Sequence, residues 1–342
     1  MTNTAVMAPD GKPVTYFRIE KDGLQLDLMD WGATWLSCLV PMPDQARREV
    51  LLGCARGEDW LTQKSYLNAT VGRYANRIAG GRITRDGRTT QLVVNEGKNQ
   101  LHGGAGFSGR RWAVLEQSAE HVCLGISSPD GDQGYPGNLD LRVTYRVLPG
   151  LRIEMVCTGE VDAVSPLGLT NHAYFNLDGV QGDIRAHRLM LAASRYTPVN
   201  AEMIPDAGLA DVAGTSFDFR SARAIETQFL ADAQQNIAAG YDHAFLLDKP
   251  EMSALAASLV SGDGRLEMRL YTDSPAVQFY SGNHLAGTSC RQGGTYAAYQ
   301  GLCLEPGFLP DSPNHPEWPQ PDCWLQPGQT YRQTMAWAFT AR

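Results

Sequence analysis

The chain has 342 residues, 43% of them hydrophobic, with 29 basic against 37 acidic side chains and a formal charge of -8. A net acidic balance argues against nucleic acid or an anionic membrane as the main partner, since both require a cationic face. No apolar run is long enough to span a bilayer, and residues 1–12 lack the basic stretch and apolar core of a secretory leader.

The seven cysteines are odd in number, scattered, and never spaced as C-x-x-C. They read as reduced, mostly buried thiols of a cytoplasmic protein, and their spacing offers no zinc-ligand pattern.

Period-two alternation dominates the chain. Leu24, Leu26 and Leu28 alternate with Gln25 and Asp27, as in a half-buried strand. Residues 57–65 have room for a turn or two of helix. Asp86-Gly87 separates residues 82–85 from 89–94 and predicts a tight hairpin. Leu139, Leu141, Val143, Tyr145 and Val147 form an apolar stripe that stops at Pro149-Gly150. The rhythm resumes at Leu151, Ile153, Met155 and Cys157, which predicts a second hairpin. Ile225, Phe229 and Ala233 would share one face of a short helix over 221–233. Tyr331, Met335, Trp337 and Phe339 close the chain as a strand, with Gln333 as a polar break. With 35 glycines and 19 prolines as punctuation, the expected fold is all-β. A large antiparallel β-sandwich with a few short helices, built as a single domain over 1–342, fits this pattern.

Several segments gather polar groups that a plain sandwich does not need. Asn76 and Arg77 lie between glycines, which permit close approach of a ligand; a solvated loop with a structural arginine is the alternative. His102 precedes Gly103-Gly104, where it has little packing to do. Thr170, His172, Tyr174 and Asn176 would share one face if that stretch is extended. Asp242 falls on an apolar face with Ala244 and Leu246 and so needs a partner or ligand, whereas His243 reads as structural. Gln278 alternates against Val277 and Phe279, facing either a cleft or solvent. Glu305 ends an apolar strand at Pro306-Gly307, and the proline-rich run that follows, through His315, reads mostly as bracing.

Taken together, Asn76-Arg77-Ile78, the 101–104 and 171–177 segments, 241–245, 277–283 and the 304–316 run resemble the aldose 1-epimerase (galactose mutarotase) family in order and spacing. The tail through Glu317-Trp318-Pro319 is similar to the bacterial branch. The resemblance covers nearly the whole chain. It implies a β-sandwich with an open cleft for one free hexose and no metal or cofactor; the sequence leaves monomer and homodimer both open. It further implies Glu305 as catalytic base, His172 as catalytic acid, and Arg77, His102 and Asp242 as holders of sugar hydroxyls. Asn76 and Gln278 match weaker contacts. A glycosidase using Asp242 and Glu305, a non-catalytic sugar-binding module, and a hexose-6-phosphate epimerase remain as rivals. The last would need extra cations for the phosphate, and, histidines aside, Arg73, in the 72–81 stretch that holds Asn76 and Arg77, is the only extra one among the core motifs.

Overall fold

The computed structural model describes residues 5–179 and 182–342; the first four residues of the segment read above for a leader lie outside it. The fold is an antiparallel β-sandwich. A nine-stranded sheet and a six-stranded sheet carry most of the chain, and a four-stranded sheet is formed by the first strands, from Tyr16–Lys21 to Arg47–Glu49. Among the described residues no helix is long and apolar enough to cross a membrane.

The alternation seen in the sequence is what builds the large sheet. In Leu139–Leu148 the leucine, valine and tyrosine side chains of the apolar stripe are buried, while Asp140, Arg142 and Arg146 face water. This strand pairs with Arg152–Val161 from Leu148↔Arg152 to Leu139↔Val161, so the hairpin turns through 149–151. Gly150 and Leu151 both take positive φ there, which places Leu151 in the turn and starts the second stripe at Ile153. The other expected hairpin pairs Arg82–Arg85 with Arg88–Gln91 around Asp86 (φ 51°) and Gly87 (φ 76°). Two positive φ angles in a two-residue loop match the right-handed twist of the strands, hence the Asp-Gly pair.

Tyr331–Ala341 runs through the middle of the nine-stranded sheet, between Arg152–Val161 and Leu266–Thr272. Its polar break, Gln333, is buried and satisfied. It accepts from the Tyr331 hydroxyl at 2.5 Å and donates to Ser274 Oγ at 2.7 Å and to the Pro306 carbonyl at 3.2 Å. Trp337 packs edge-on against Trp35 with ring centroids 4.7 Å apart, inside the main core. Leu24–Met29 departs from simple alternation: Gln25 is only 4% exposed, because its amide is taken up by Asp27 and Arg47.

Helix is scarce. Gly57–Thr62 is helical, within the span expected. The helix expected over 221–233 does not form. Arg223–Ala224 instead adds an edge strand to the large sheet beside Arg188–Leu191, and a 3₁₀ turn follows at Ile225–Gln228. The helix begins only at Ala233–Ala238, where the Asp232 carboxylate accepts from the Gln235 N–H at 3.1 Å. Ile225 and Phe229 still pack on the core, as their spacing implies, although the backbone between them is not an α-helix. Sheet pairing and a side-chain cap outweighed a weak helical period. All seven cysteines are unpaired, and six are buried.

Candidate active site

The six-stranded sheet positions the site. Tyr174–Phe175, Leu302–Gly307, Ala276–Tyr280 and Asp242–Leu246 lie side by side in that order. Gln278 pairs with Glu305, Tyr280 with Asp242, and Cys303 with Tyr174. Alternation then turns Glu305, Gln278, Tyr280 and Asp242 to one face. Above that face opens a cleft of about 680 Å³, lined by Arg77, His102, His172, Tyr174, Asp242 and Glu305 among others. That volume lies within the roughly 300–1,000 Å³ of small-molecule sites.

Glu305 does not end its strand, as the Pro-Gly pair suggested. Pro306 and Gly307 go on pairing with Val277 and Ala276. The neighbour on the other side reaches only Leu302 and Cys303, so Pro306 sits at a free edge, where a residue without N–H fits. His172 lies in a break between Thr170–Asn171 and Tyr174–Phe175. The break overturns the expected four-residue polar face. Only His172 and Tyr174 of the four line the cleft, while Thr170 is buried and Asn176 donates to the carbonyls of Gly182 and Gln300. Continuing the Tyr174↔Cys303 register by two residues would set His172 opposite Glu305. Their Nε2 and Oε1 atoms are 3.8 Å apart, with both side chains almost fully buried. The His172 ring stacks on Tyr174, and its Nδ1 is 3.5 Å from Cys303 Sγ.

Arg77, Asn76 and His102 come from a small ladder, Arg77–Ile78 against Gln100–Leu101. His102 N–H donates to the Asn76 carbonyl at 2.9 Å, and Asn76 N–H donates to His102 Nδ1 at 3.1 Å. With Nδ1 accepting, the neutral ring carries its proton on Nε2 as a donor. Gly103 is required here: at φ 76° a Cβ would stand 2.1 Å from the Gly72 carbonyl oxygen. The proline-rich run braces the same turn, since Asp311 N–H donates to the Arg77 carbonyl and Asp311 Oδ1 accepts from Ala79 N–H.

Arg77 is held by a residue the sequence reading missed. Its Nε and Nη2 donate to the two carboxylate oxygens of Glu96 at 2.7 and 2.8 Å, leaving Nη1 3.7 Å from Asp242. Tyr66, Tyr280 and His284 also line the cleft and were likewise missed. Gln278 lies below the surface rather than on it: its Nε2 donates to Asp242 Oδ1 at 2.6 Å. His243 is structural, as expected. Its Nδ1 accepts from Asp242 N–H, and the ring packs on Phe217. Arg73 is structural too. It is buried and donates to the carbonyls of Ser128, Pro129, Pro136 and Gly137, so it offers nothing to a phosphate.

Burial sets the site's proton affinities. It drives Glu305 well above the usual carboxylate range; Asp242 adds to that rise and Arg77 opposes it. Burial likewise raises Asp242, against the pull of Arg77 and Gln278. It pushes His172 down to about 4, and pushes His102 well below its ordinary value with help from His172 and Arg77. Burial works against the charge on Arg77 too, but Asp242 and Glu96 outweigh it.

His315 stands apart from the cleft, stacked on Trp318 with centroids 4.1 Å apart. The Asp311 hydrogen bond raises its pKa, burial opposes, and Glu317 adds to the rise. A histidine raised by folding stabilises most below its ordinary pKa, and the gain fades as pH climbs through the raised value. His315→Ala should therefore leave turnover within a factor of a few. Its deficit in thermal midpoint should be larger on the acid side of neutrality than at alkaline pH. A large loss of turnover would place the loop in the chemistry.

An antiparallel sandwich whose open polar cleft holds a facing carboxyl–imidazole pair defines a class, the galactose mutarotase fold. A galactose 1-epimerase from Lactobacillus acidophilus superposes with TM-score 0.86 at 28% identity, covering 98% of this chain and 97% of that one. An aldose epimerase homologue from C. elegans gives 0.87 at 27% identity, over 96% and 99%. The aldose 1-epimerase family model matches residues 16–338, and the chain belongs to that family. It is 50% identical to the aldose 1-epimerase of Escherichia coli K12, over 100% of this chain and 99% of that protein. The galactose mutarotase of Mus musculus is 37% identical over 96% and 95%. The protein is an isomerase acting on the anomeric centre of aldoses.

Proposed function

We propose that this enzyme interconverts the α and β anomers of free hexoses such as galactose and glucose by opening and reclosing the ring at the Glu305–His172 pair. The reading is carried by one observation: a carboxyl and an imidazole face each other at 3.8 Å in the wall of an otherwise open cleft. Glu305 takes the proton of the anomeric hydroxyl while C1–O1 becomes a carbonyl and the ring C1–O5 bond breaks. His172 gives a proton to O5. After rotation about C1–C2, His172 takes the O5 proton back, O5 attacks the other face of C1, and Glu305 returns its proton to O1. The pair ends as it began.

The sugar is held by Asp242, which accepts from vicinal hydroxyls, and by Arg77 Nη1 and His102 Nε2, which donate. Asn76, in the cleft lining, and Gln278, acting through Asp242, make the weaker contributions.

Polarimetry on freshly dissolved α-galactose tests the reading. The rotation should relax much faster with protein than without, and a methyl galactoside, which has no anomeric proton to lose, should not react. In oxygen-18 water, with aldehyde hydration subtracted, almost no label should enter C1, because the exocyclic C1–O1 bond never breaks. Turnover of the methyl galactoside, or label entering as fast as rotation changes, would instead point to a glycosidase built on Asp242 and Glu305.

A further inference from the structure

Cys303 is a buried thiol for which the proposed chemistry has no use. It lies two residues before Glu305 on the same face of Leu302–Gly307, and its Sγ is 3.5 Å from His172 Nδ1. One ligand atom each from His172, Cys303 and Glu305 fall within 4.8 Å of one another. His172 lies 131 residues before Cys303 in the chain, so cysteine spacing gives no hint of the grouping.

Imidazole, thiolate and carboxylate form the donor set of zinc and its thiophilic relatives. Three protein ligands with a fourth position open to solvent is a common zinc arrangement. Zinc bonds of about 2.3 Å to sulfur and about 2.0–2.2 Å to nitrogen and oxygen set tetrahedral ligand atoms roughly 3.3–3.6 Å apart. His172 and Glu305 open onto the cleft, which supplies both the entry path and the fourth position.

We infer that His172, Cys303 and Glu305 form an inhibitory binding site for a zinc-type divalent cation, occupied in competition with the sugar. The competitive part rests on the reading of His172 and Glu305 as the proton-handling pair. Binding replaces the thiol proton: Cys303 S–H and M²⁺ give the S⁻–M²⁺ bond and a free proton, and a proton carried by Glu305 leaves as well. Because binding displaces the thiol proton, the ion binds more tightly as pH rises. Mg²⁺ and Ca²⁺, which take oxygen ligands, do not substitute.

Two readouts keep this inference separate from the catalytic one. Calorimetric titration of Zn²⁺ in buffers of unequal ionisation enthalpy should show one or more protons released per ion, and galactose should weaken the binding. Cd²⁺ should produce thiolate charge-transfer absorption in the ultraviolet. Neither readout needs turnover. In polarimetry, with metal and buffer catalysis subtracted, Zn²⁺ should inhibit competitively with galactose.

Cys303→Ser keeps a hydroxyl for His172 Nδ1 but does not ionise. Measured against its own uninhibited rate, it should raise the zinc inhibition constant at least about tenfold. Cys290→Ser, which alters the one partly buried cysteine, should leave that constant unchanged. Equal inhibition of wild type and Cys303→Ser, or zinc binding without proton release, would overturn the site. Competition failing while proton release and the Cd²⁺ band persist would instead count against the catalytic pair.

Discussion

Glu305→Gln is expected to lower the catalysed rate of anomer exchange by about two to four orders of magnitude, the scale set by loss of a general base. The amide keeps the shape of the carboxyl and its place opposite Gln278 in the sheet, so the fold has no reason to move. Stability should hold or rise. Burial, reinforced by Asp242, puts the folded pKa of Glu305 above its unfolded value. A carboxyl raised in this way costs stability once the pH exceeds the unfolded pKa, and glutamine removes that cost near neutrality. Circular dichroism melts and polarimetry on the same sample separate the two effects. A variant within a factor of a few of wild type, still folded, would sink the assignment of Glu305 as base.

What the sequence made legible follows from the range of the forces involved. Short-range signals carried well. The Asp86-Gly87 pair requires φ angles that few other residues accept, and the 139–157 stripes bury one face of a hairpin whose partner lies beside it in the chain. Weak local signals lost to partners distant in sequence. The 221–233 segment has helical spacing, but its first residues hydrogen-bond to Arg188–Leu191 as an edge strand.

The site divides in the same way. Residues with an unusual local setting, such as His102 before two glycines or Asp242 among apolar neighbours, could be singled out and do line the cleft. Glu96 could not. It sits in Asn95-Glu96-Gly97, which reads as a solvated turn, and its importance arises only from the Arg77 guanidinium 19 residues away. The 170–176 stretch misled because period two assumes an unbroken strand, and the break at 172–173 leaves only His172 and Tyr174 of the four on the cleft, with His172 near Glu305.

His172→Gln should match Glu305→Gln in damage and differ from it in pH dependence. In the wild type, burial holds His172 at about 4 and Glu305 well above the usual range, so between those limits the pair carries one proton. Burial favours placing that proton on Glu305, whereas the 3.8 Å approach of the two groups favours the carboxylate–imidazolium form. The two forms have the same proton count and interconvert by one transfer, so the rate follows the one-proton state. It falls on the acid side as the pair takes a second proton, and on the alkaline side as it loses its only one. Both limbs belong to the pair.

Glutamine at 172 removes the imidazole that shares the proton and leaves Glu305 as the sole titrating member. The residual rate should then rise as Glu305 ionises and stay up, with no alkaline fall. Rate–pH profiles of wild type and His172→Gln, measured by polarimetry with the buffer rate subtracted, decide the matter. An alkaline limb that survives in the variant would assign the proton on O5 to another donor, with the cleft-lining Tyr174 and Tyr280 hydroxyls next in reach.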